Sequence, residues 1–360
     1  MMQYANIHAV LHTRREAAAS SSSSSPAPRV LVAGPVDVGK STLTRILTNY
    51  AVRSGHAPLL LDLDIGQGGI TVPGTLSCVM AETVCNVETG DFSQDNALSF
   101  FYGHATPSEN IQHYKVLVER MAAILEAFMA APSGADANGS AGGHGGCTGG
   151  MFVNTMGWVD GDGLELLVHS IETLKVDTVL VVGHDRLYAQ LTQGDPKIAA
   201  GRLPANLQVV KVAKSGGVVS RDSVHRKLTR ERRVFSYFYG PRRELSPFSR
   251  SVQISQLQVF RVGGGPQAPL SALPIGTEKG QREDPKMKVT KMNVQRDLTH
   301  SVLAVSHART PEEVLASNVA GFIHVTEVDV QKGILTYLSP SPGHLPSPVL
   351  IAGTIKCFLK

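Results

Sequence analysis

The sequence predicts an α/β fold, a parallel sheet with helices on both faces, followed by a small β-rich C-terminal domain. Three observations carry this. From residue 29 onward, short apolar runs alternate with stretches of helical periodicity. A glycine-rich loop, Gly34-Pro-Val-Asp-Val-Gly-Lys-Ser41, joins the first run to the first helical pattern. Beyond about residue 246 the helical periods stop, and short alternating runs punctuated by Pro and Gly take over, at 252–262, 319–328 and 334–338.

Taken in order, residues 1–28 read as a helix around Ile7 and Leu11 that ends in a Ser21–Ser25 linker. The same stretch, with Arg14, Arg15, many Ala and Ser and one acid, also resembles an organelle transit peptide; helix plus linker is the simpler reading. The apolar runs at 29–33, 58–63, 98–102, 151–154, 177–182 and 207–212 are expected as buried parallel strands. Helices are expected at 40–53, 108–131 and 163–174. Residues 132–150 are almost all small or polar and read as a disordered insertion, so His144 and Cys147 are not counted as ligands. The expected organisation is therefore 1–28 helix and linker, 29–246 nucleotide-binding domain with a basic lid at 214–236, and 247–360 β-rich domain.

A chain of 360 residues has room for about two domains and a large core. No apolar run approaches the roughly 20 residues that span a bilayer, so no membrane partner is expected. The four cysteines lack the paired spacing of a zinc site or disulfide framework. Between Lys211 and Arg243 ten Lys/Arg face only Asp222 and Glu231, leaving the rest of the chain mildly acidic. Such a segment fits either a polyanion held at one place or a solvated helix face.

The glycine-rich loop has the features of a triphosphate grip. Gly34 and Gly39 permit the tight turn that aims backbone N–H groups at phosphates. Lys40 is long enough to reach the terminal phosphates, and the Ser41 hydroxyl suits Mg²⁺. Leu43, Ile46, Leu47 and Tyr50 then keep helical spacing, which puts the anion on a helix N-terminus. Leu59 to Gly68 end a strand with acids and glycines. Asp64, at the strand's end, suits water-mediated contact with Mg²⁺ or acceptance of a hydroxyl proton, while Asp62 reads as a structural partner. Gln67 suits positioning of a nucleophile or phosphate. In the basic segment Arg221 follows a glycine hinge, and Arg226, Arg230 and Arg233 share a helix face. Trp158, the one tryptophan, follows Asn154-Thr-Met-Gly157 at the catalytic edge, where a ring can stack a nucleic-acid base. No Asn-Lys-x-Asp sequence follows the strand at 177–182, which argues against a signalling GTPase and favours ATP.

Together, Gly34 to Thr42, Leu63-Asp-Ile-Gly-Gln-Gly68, Asn154-Thr-Met-Gly-Trp158, Lys214-Ser-Gly-Gly-Val-Val219 and Tyr237-Phe-Tyr-Gly240 strongly resemble one family. It is that of the eukaryotic polyribonucleotide 5′-hydroxyl kinases that are also subunits of the pre-mRNA cleavage complex. Pro73-Gly74, Tyr102-Gly-His104 and Val319 to Ile323 fit as well. The resemblance implies a P-loop NTPase-type domain in which Gly34, Asp37, Val38, Gly39, Lys40, Ser41 and Thr42 bind ATP, with Ser41 and Asp64 serving Mg²⁺. It implies that Asp64 activates the RNA 5′-hydroxyl, that Trp158 clasps the terminal base, and that Arg221 and Arg226 in the lid stabilise the transferring phosphoryl group, with Lys40 counted as catalytic beside them through its hold on the triphosphate. Thr106 falls in a loop that the family places near substrate, although Ala105 stands where the family can carry a further hydroxyl. The implied partners are RNA with a 5′-hydroxyl end, pre-mRNA cleavage factor subunits and the tRNA splicing endonuclease, and the implied location is the nucleus. The family's opening β-rich domain, which helps hold adenine, has no counterpart ahead of Tyr4–Arg15. A different class, the ATP-bound non-catalytic scaffold, is the alternative; its mark would be degenerate lid arginines, and these are intact. A small-molecule kinase or metal-insertion ATPase shares the loop but not the basic segment and Trp158.

Overall fold

In the computed structural model the chain opens with helix α1 (Met2–Ala19), and the apolar run that follows forms β1 (Arg29–Ala33), buried at every residue after Arg29. A strand buried on both faces belongs in the middle of a sheet. The residues described are 1–20, 26–94, 96–130, 148–194, 198, 201–263 and 285–359. The expected 21–25 linker and most of the expected insertion, with His144 and Cys147, lie outside them.

Contacts divide the chain into two units. The first comprises Met1–Thr71, Leu76–Leu98 and Val118–Arg226; the second comprises Val72–Thr75, Ser99–Leu117 and Lys227–Lys360. After β1 come α2 (Lys40–Arg53), β2 (Leu59–Asp62), β3 (Thr75–Met80), β4 (Leu98–Phe101), α3 (Ile111–Ala130), β5 (Met151–Asn154), α4 (Asp162–Thr173), β6 (Thr178–Val182), α5 (Asp185–Gln193), β7 (Gln208–Val212) and α6 (Ser223–Tyr239). The sheet order is β4-β3-β2-β5-β1-β6-β7. Pairing is parallel from β2 through β5, β1 and β6 to β7. Two expectations need correction. β3, not expected from sequence, pairs antiparallel with β2, so the sheet is mixed. β7, expected as a buried strand, is an edge strand with Gln208 and Lys211 exposed. Its free edge is blunted by the Gln3 amide of α1, which donates to the Lys211 carbonyl (2.7 Å) and accepts from the Ala213 N–H (3.2 Å).

α2 forms because Leu43, Leu47 and Ala51 repeat at helical spacing and all are buried. They pack against Val30, Val32, Leu60, Phe152 and Leu180 of the sheet and Leu11 of α1. Thr44 and Thr48 are buried as well, and each satisfies its hydroxyl on the carbonyl four residues back. The helix stops at Ser54, followed by Gly55 at φ +81°.

The second unit carries β8 (Phe248–Gln253), β9 (Gln258–Val262), β10 (Val289–Met292), β11 (Ser301–Ser306), β12 (Val319–Asp329), β13 (Ile334–Ser339) and β14 (Val349–Lys356). Their order is β10-β9-β14-β11-β12-β13-β8, antiparallel except between β14 and β9. This is the expected β-rich sheet, with β11 buried throughout at its centre. One side packs Phe101, Phe238, Phe260 and Phe322; the other packs Leu303, Ile323, Leu335 and Leu350.

Candidate functional site

The candidate site lies at the C-terminal ends of β1, β2 and β5, where a parallel sheet presents ligands. Gly34 has φ +148°, and a Cβ there would stand 2.6 Å from the Val182 carbonyl. Gly39, at φ +94°, is the N-cap of α2 and brings no side-chain cap, so the first backbone N–H groups of the helix are left for an external acceptor. Between them Asp37 also adopts a positive φ of 54°. The loop is closely walled: a Cβ on Gly157 would meet the Val36 nitrogen at 2.7 Å, and one on Gly39 would meet Val218 at 3.1 Å.

Lys40 is 7% exposed and donates from Nζ to the Pro35 carbonyl at 2.7 Å. Burial pulls its pKa down to about 8, against the opposing pull of Asp64 and Asp37. An ammonium held at that cost, among uncapped N–H groups, fits a polyphosphate. For Mg²⁺ the donor set also fits: the Ser41 hydroxyl and the Asp64 carboxylate are hard oxygens. Among the described residues no group of three or more His, Cys, Asp or Glu could form a protein-only cage, and Mg²⁺ bound with phosphates needs none.

Asp64 and Asp62 have different surroundings. Asp62 is buried, which raises its pKa, yet its carboxylate is fully engaged: Gly69 N–H donates at 2.6 Å, the Asn154 amide at 2.9 Å and the Asp64 N–H at 3.1 Å. Asn154 in turn accepts from the Ser41 hydroxyl at 3.4 Å. Asp62 thus ties together the ends of β2 and β5 and the start of α2. Asp64 accepts from the N–H groups of Gly66 and Gln67 through Oδ1 alone, both at 3.1 Å. Its second oxygen takes part in neither bond. Burial first, and the neighbouring Asp62 second, push the Asp64 pKa up to about 6 despite Lys40.

The basic segment reaches the loop at Asp37. The Arg226 guanidinium pairs with Asp37 Oδ2 at 2.8 Å, and the backbone N–H of Arg221 donates to the same oxygen at 2.9 Å. Burial would raise the Asp37 pKa, but these two donors outweigh it and hold the carboxyl below its ordinary value. With side chains 31% and 19% exposed, such a pair is worth about 0–1 kcal/mol. The Arg221 side chain itself is exposed. Gln67 donates to the Gly66 carbonyl at 2.7 Å, and its Oε1 is buried without a partner. Trp158 is half-buried against Gly163 in the first turn of α4. Val38 is buried in the loop and Thr42 is exposed in the first turn of α2. Thr106 belongs to the second unit, where it is exposed and bonded to the Ser108 hydroxyl at 3.0 Å. Sequence reasoning missed the linking role of Asn154 and the Asp37–Arg226 clasp. Asn154 carried a signal, a polar residue ending an apolar strand; the clasp spans 189 residues and carried none.

Residues 34–240 match the family model for the mRNA cleavage and polyadenylation factor CLP1 P-loop, and residues 245–358 match that for the pre-mRNA cleavage complex II protein Clp1. The chain belongs to the Clp1 family. It is 45% identical to a Protein CLP1 homolog of Arabidopsis thaliana over 99% of this chain and 76% of that protein. A homolog of Anopheles gambiae is 38% identical over 99% and 78%. Two solved structures share the fold at 23% and 22% identity, with TM-scores of 0.77 and 0.78, each covering 99% of this chain and 79% and 80% of the other. The first is a complex of wild-type Clp1p with a Pcf11p fragment. The second concerns the extended Pcf11p–Clp1p interface and the basis of ATP loss in a glycine-to-arginine mutant. This Clp1-family chain spans about three quarters of the length of the relatives it matches.

Proposed function

We propose that this chain is an ATP-dependent kinase that phosphorylates the 5′-hydroxyl of RNA. The observation that carries the reading is Asp64: a carboxylate with one oxygen unengaged, raised towards neutral pH, beside a phosphate loop with a buried lysine. Asp64 takes the proton of the attacking hydroxyl, a task best done by a group whose pKa lies near the working pH. The loop N–H groups and Lys40 hold the triphosphate, with Val38 and Thr42 as part of the cradle. Mg²⁺, when bound through the Ser41 hydroxyl and through water at Asp64, neutralises phosphate charge. Arg226, once it leaves Asp37, and Arg221 beside it supply positive charge to the migrating phosphoryl group. Trp158 stacks the terminal base, while Gln67 contacts substrate. The kinase domain is taken as 29–246 with its lid at 214–236, and the β-rich domain as 247–360.

The test is transfer of labelled γ-phosphate from ATP to a short 5′-hydroxyl RNA, with Lys40→Ala and Arg226→Ala in parallel. Transfer by the parent that is lost in both variants supports the kinase; transfer that survives Lys40→Ala refutes it. A second reading, an ATP-holding scaffold, is favoured by the solved relatives being Clp1p–Pcf11p complexes; ATP retention with no turnover selects it. Either way the chain is proposed to join a Pcf11-like cleavage factor subunit in the nucleus, with tRNA splicing as a further setting for the kinase.

A further inference from the structure

The seven-stranded sheet of the second unit ends on β8, whose one partner among the described strands is β13. Half of the N–H and C=O groups of such an edge point away from the sheet. Among the described residues, none outside β13 bonds to the backbone of Phe248–Gln253. The strand carries neither Pro nor Lys, the usual guards of an exposed edge. The edge at β7 in the other sheet is treated differently, since Gln3 covers it. Beside β8 lies a cavity of about 590 Å³, a volume in the range of ligand sites. Every residue from Ser249 to Gln253 borders it, together with Tyr337 of β13 and His344 and Leu345 of the loop before β14. Successive residues of a strand face opposite sides, so they border one space together only where that space reaches the strand's backbone.

The charge around this space is one-sided. Arg250 and His344 border it, and no Asp or Glu does. Arg250 stands opposite Tyr337 in the β8–β13 register. Burial pushes the Tyr337 hydroxyl's pKa up, and the Arg250 charge pulls it back. The guanidinium has no hydrogen bond or ion pair with any described residue, and its Nε is shut from water. An incoming anion therefore meets the two Nη nitrogens, end-on. Val252 and Leu345 pack against the cluster around Leu335 and give the space an apolar wall. We propose that β8 and this cavity dock an extended segment of a partner protein that carries an acidic side chain. The segment adds to the free edge of β8 through its backbone, and its carboxylate takes the Arg250 fork. An extended polypeptide is the occupant that suits both features. A strand edge alternates donors and acceptors, and only another peptide backbone alternates them in the same way, whereas RNA brings phosphates for Arg250 but no such row. The site belongs to the second unit and does not depend on the kinase reading.

The test selects random dodecapeptides displayed on phage against the full chain and, in parallel, against Arg250→Glu. The parent should enrich an acid flanked by β-branched or aromatic residues, and Arg250→Glu should lose the preference for that acid. A fluorescein-labelled copy of the leading parent peptide is then titrated by anisotropy. Changing its acid to the matching amide should weaken binding about tenfold, the worth of a charge-assisted contact. Arg250→Ala should cost a similar factor on the acidic peptide and nothing further on the amide. Arg250→Lys, which keeps charge but not the fork, should recover part of the loss. Methyl groups on alternate backbone nitrogens of the peptide should abolish binding in one register, where those N–H groups face β8, and leave it intact in the other. The changes made on the peptide need no altered protein, so they decide the matter even where an Arg250 variant folds poorly. A selection that enriches no acid, or the same acid on Arg250→Glu, overturns the proposal. So do losses that add in the double combination, or binding indifferent to backbone methylation in both registers. A short single-stranded RNA that displaces the peptide and itself weakens in Arg250→Ala would overturn it in favour of nucleic acid.

Discussion

Replacing Lys40 by Met should make the nucleotide-free protein more stable while removing its response to ATP. The Lys40 pKa falls from 10.5 to about 8 because the ammonium is buried. That shift costs about 3 kcal/mol of folded-state stability at neutral pH. Methionine is nearly isosteric and carries no charge to desolvate, so it removes the cost. Against the gain stands the Pro35 carbonyl, which loses its 2.7 Å donor at a site half open to water, about 1 kcal/mol. The net is about 2 kcal/mol in favour of the variant, a rise of about 4–8 °C in the transition of a unit of this size. The sign of the pH dependence is also set. Between pH 8 and 10.5 the unfolded chain holds a proton that the folded parent has given up, so the parent gains stability through this window and the variant does not. Calorimetry of both proteins at pH 7 and pH 10, with and without Mg²⁺–ATP, measures all of it. At 100 times Kd the parent should gain about 2.7 kcal/mol from nucleotide, and the variant far less. A variant less stable than the parent without nucleotide, or equally stabilised by it, would refute the reasoning.

Four further outcomes are expected. The rate of phosphate transfer should fall as pH drops through about 6, because protonation disables the raised Asp64, and Asp64→Asn should abolish transfer while ATP binding survives; a limb near pH 4, or a rate that survives the substitution, contradicts the base assignment. Gly157→Ala would drive a methyl into the Val36 backbone, so ATP affinity measured by calorimetry should drop at least tenfold with the core transition little changed. His8 and His56 are held below their ordinary pKa, by burial first and then by Arg15, so the unfolded chain binds protons first; Tm should fall as pH drops below about 6.5, less so in His56→Gln. Leu47→Ala empties a fully buried position of α2 and should cost about 2–5 kcal/mol in chemical denaturation.

Local signals made much of the site legible. The loop from Gly34 to Ser41, the strand before it and the helix after it are contiguous, and backbone conformation there is dictated by glycine positions that any reader of the chain can see. Asp64 follows from its place at a strand end. The β-rich sheet was legible as a class, from short apolar runs punctuated by Pro and Gly, of which β13 alternates in burial over its first four residues. β11 lacks such alternation because both its faces are buried, and β3 is likewise buried at every residue but its last.

By itself, then, the sequence determined the α/β class, the phosphate grip, the family and the residue types available at the candidate site, because each depends on neighbours within a few positions. Tertiary structure decided which residues serve them. Asp62 and Asp64 differ by two positions, yet only the folded chain separates a carboxylate saturated by Gly69 and Asn154 from one with an oxygen to spare. Asp37 meets Arg226 across 189 residues, a pairing that exists only once the chain has folded. Burial and long-range pairing set pKa values and partners, and neither is written in local spacing.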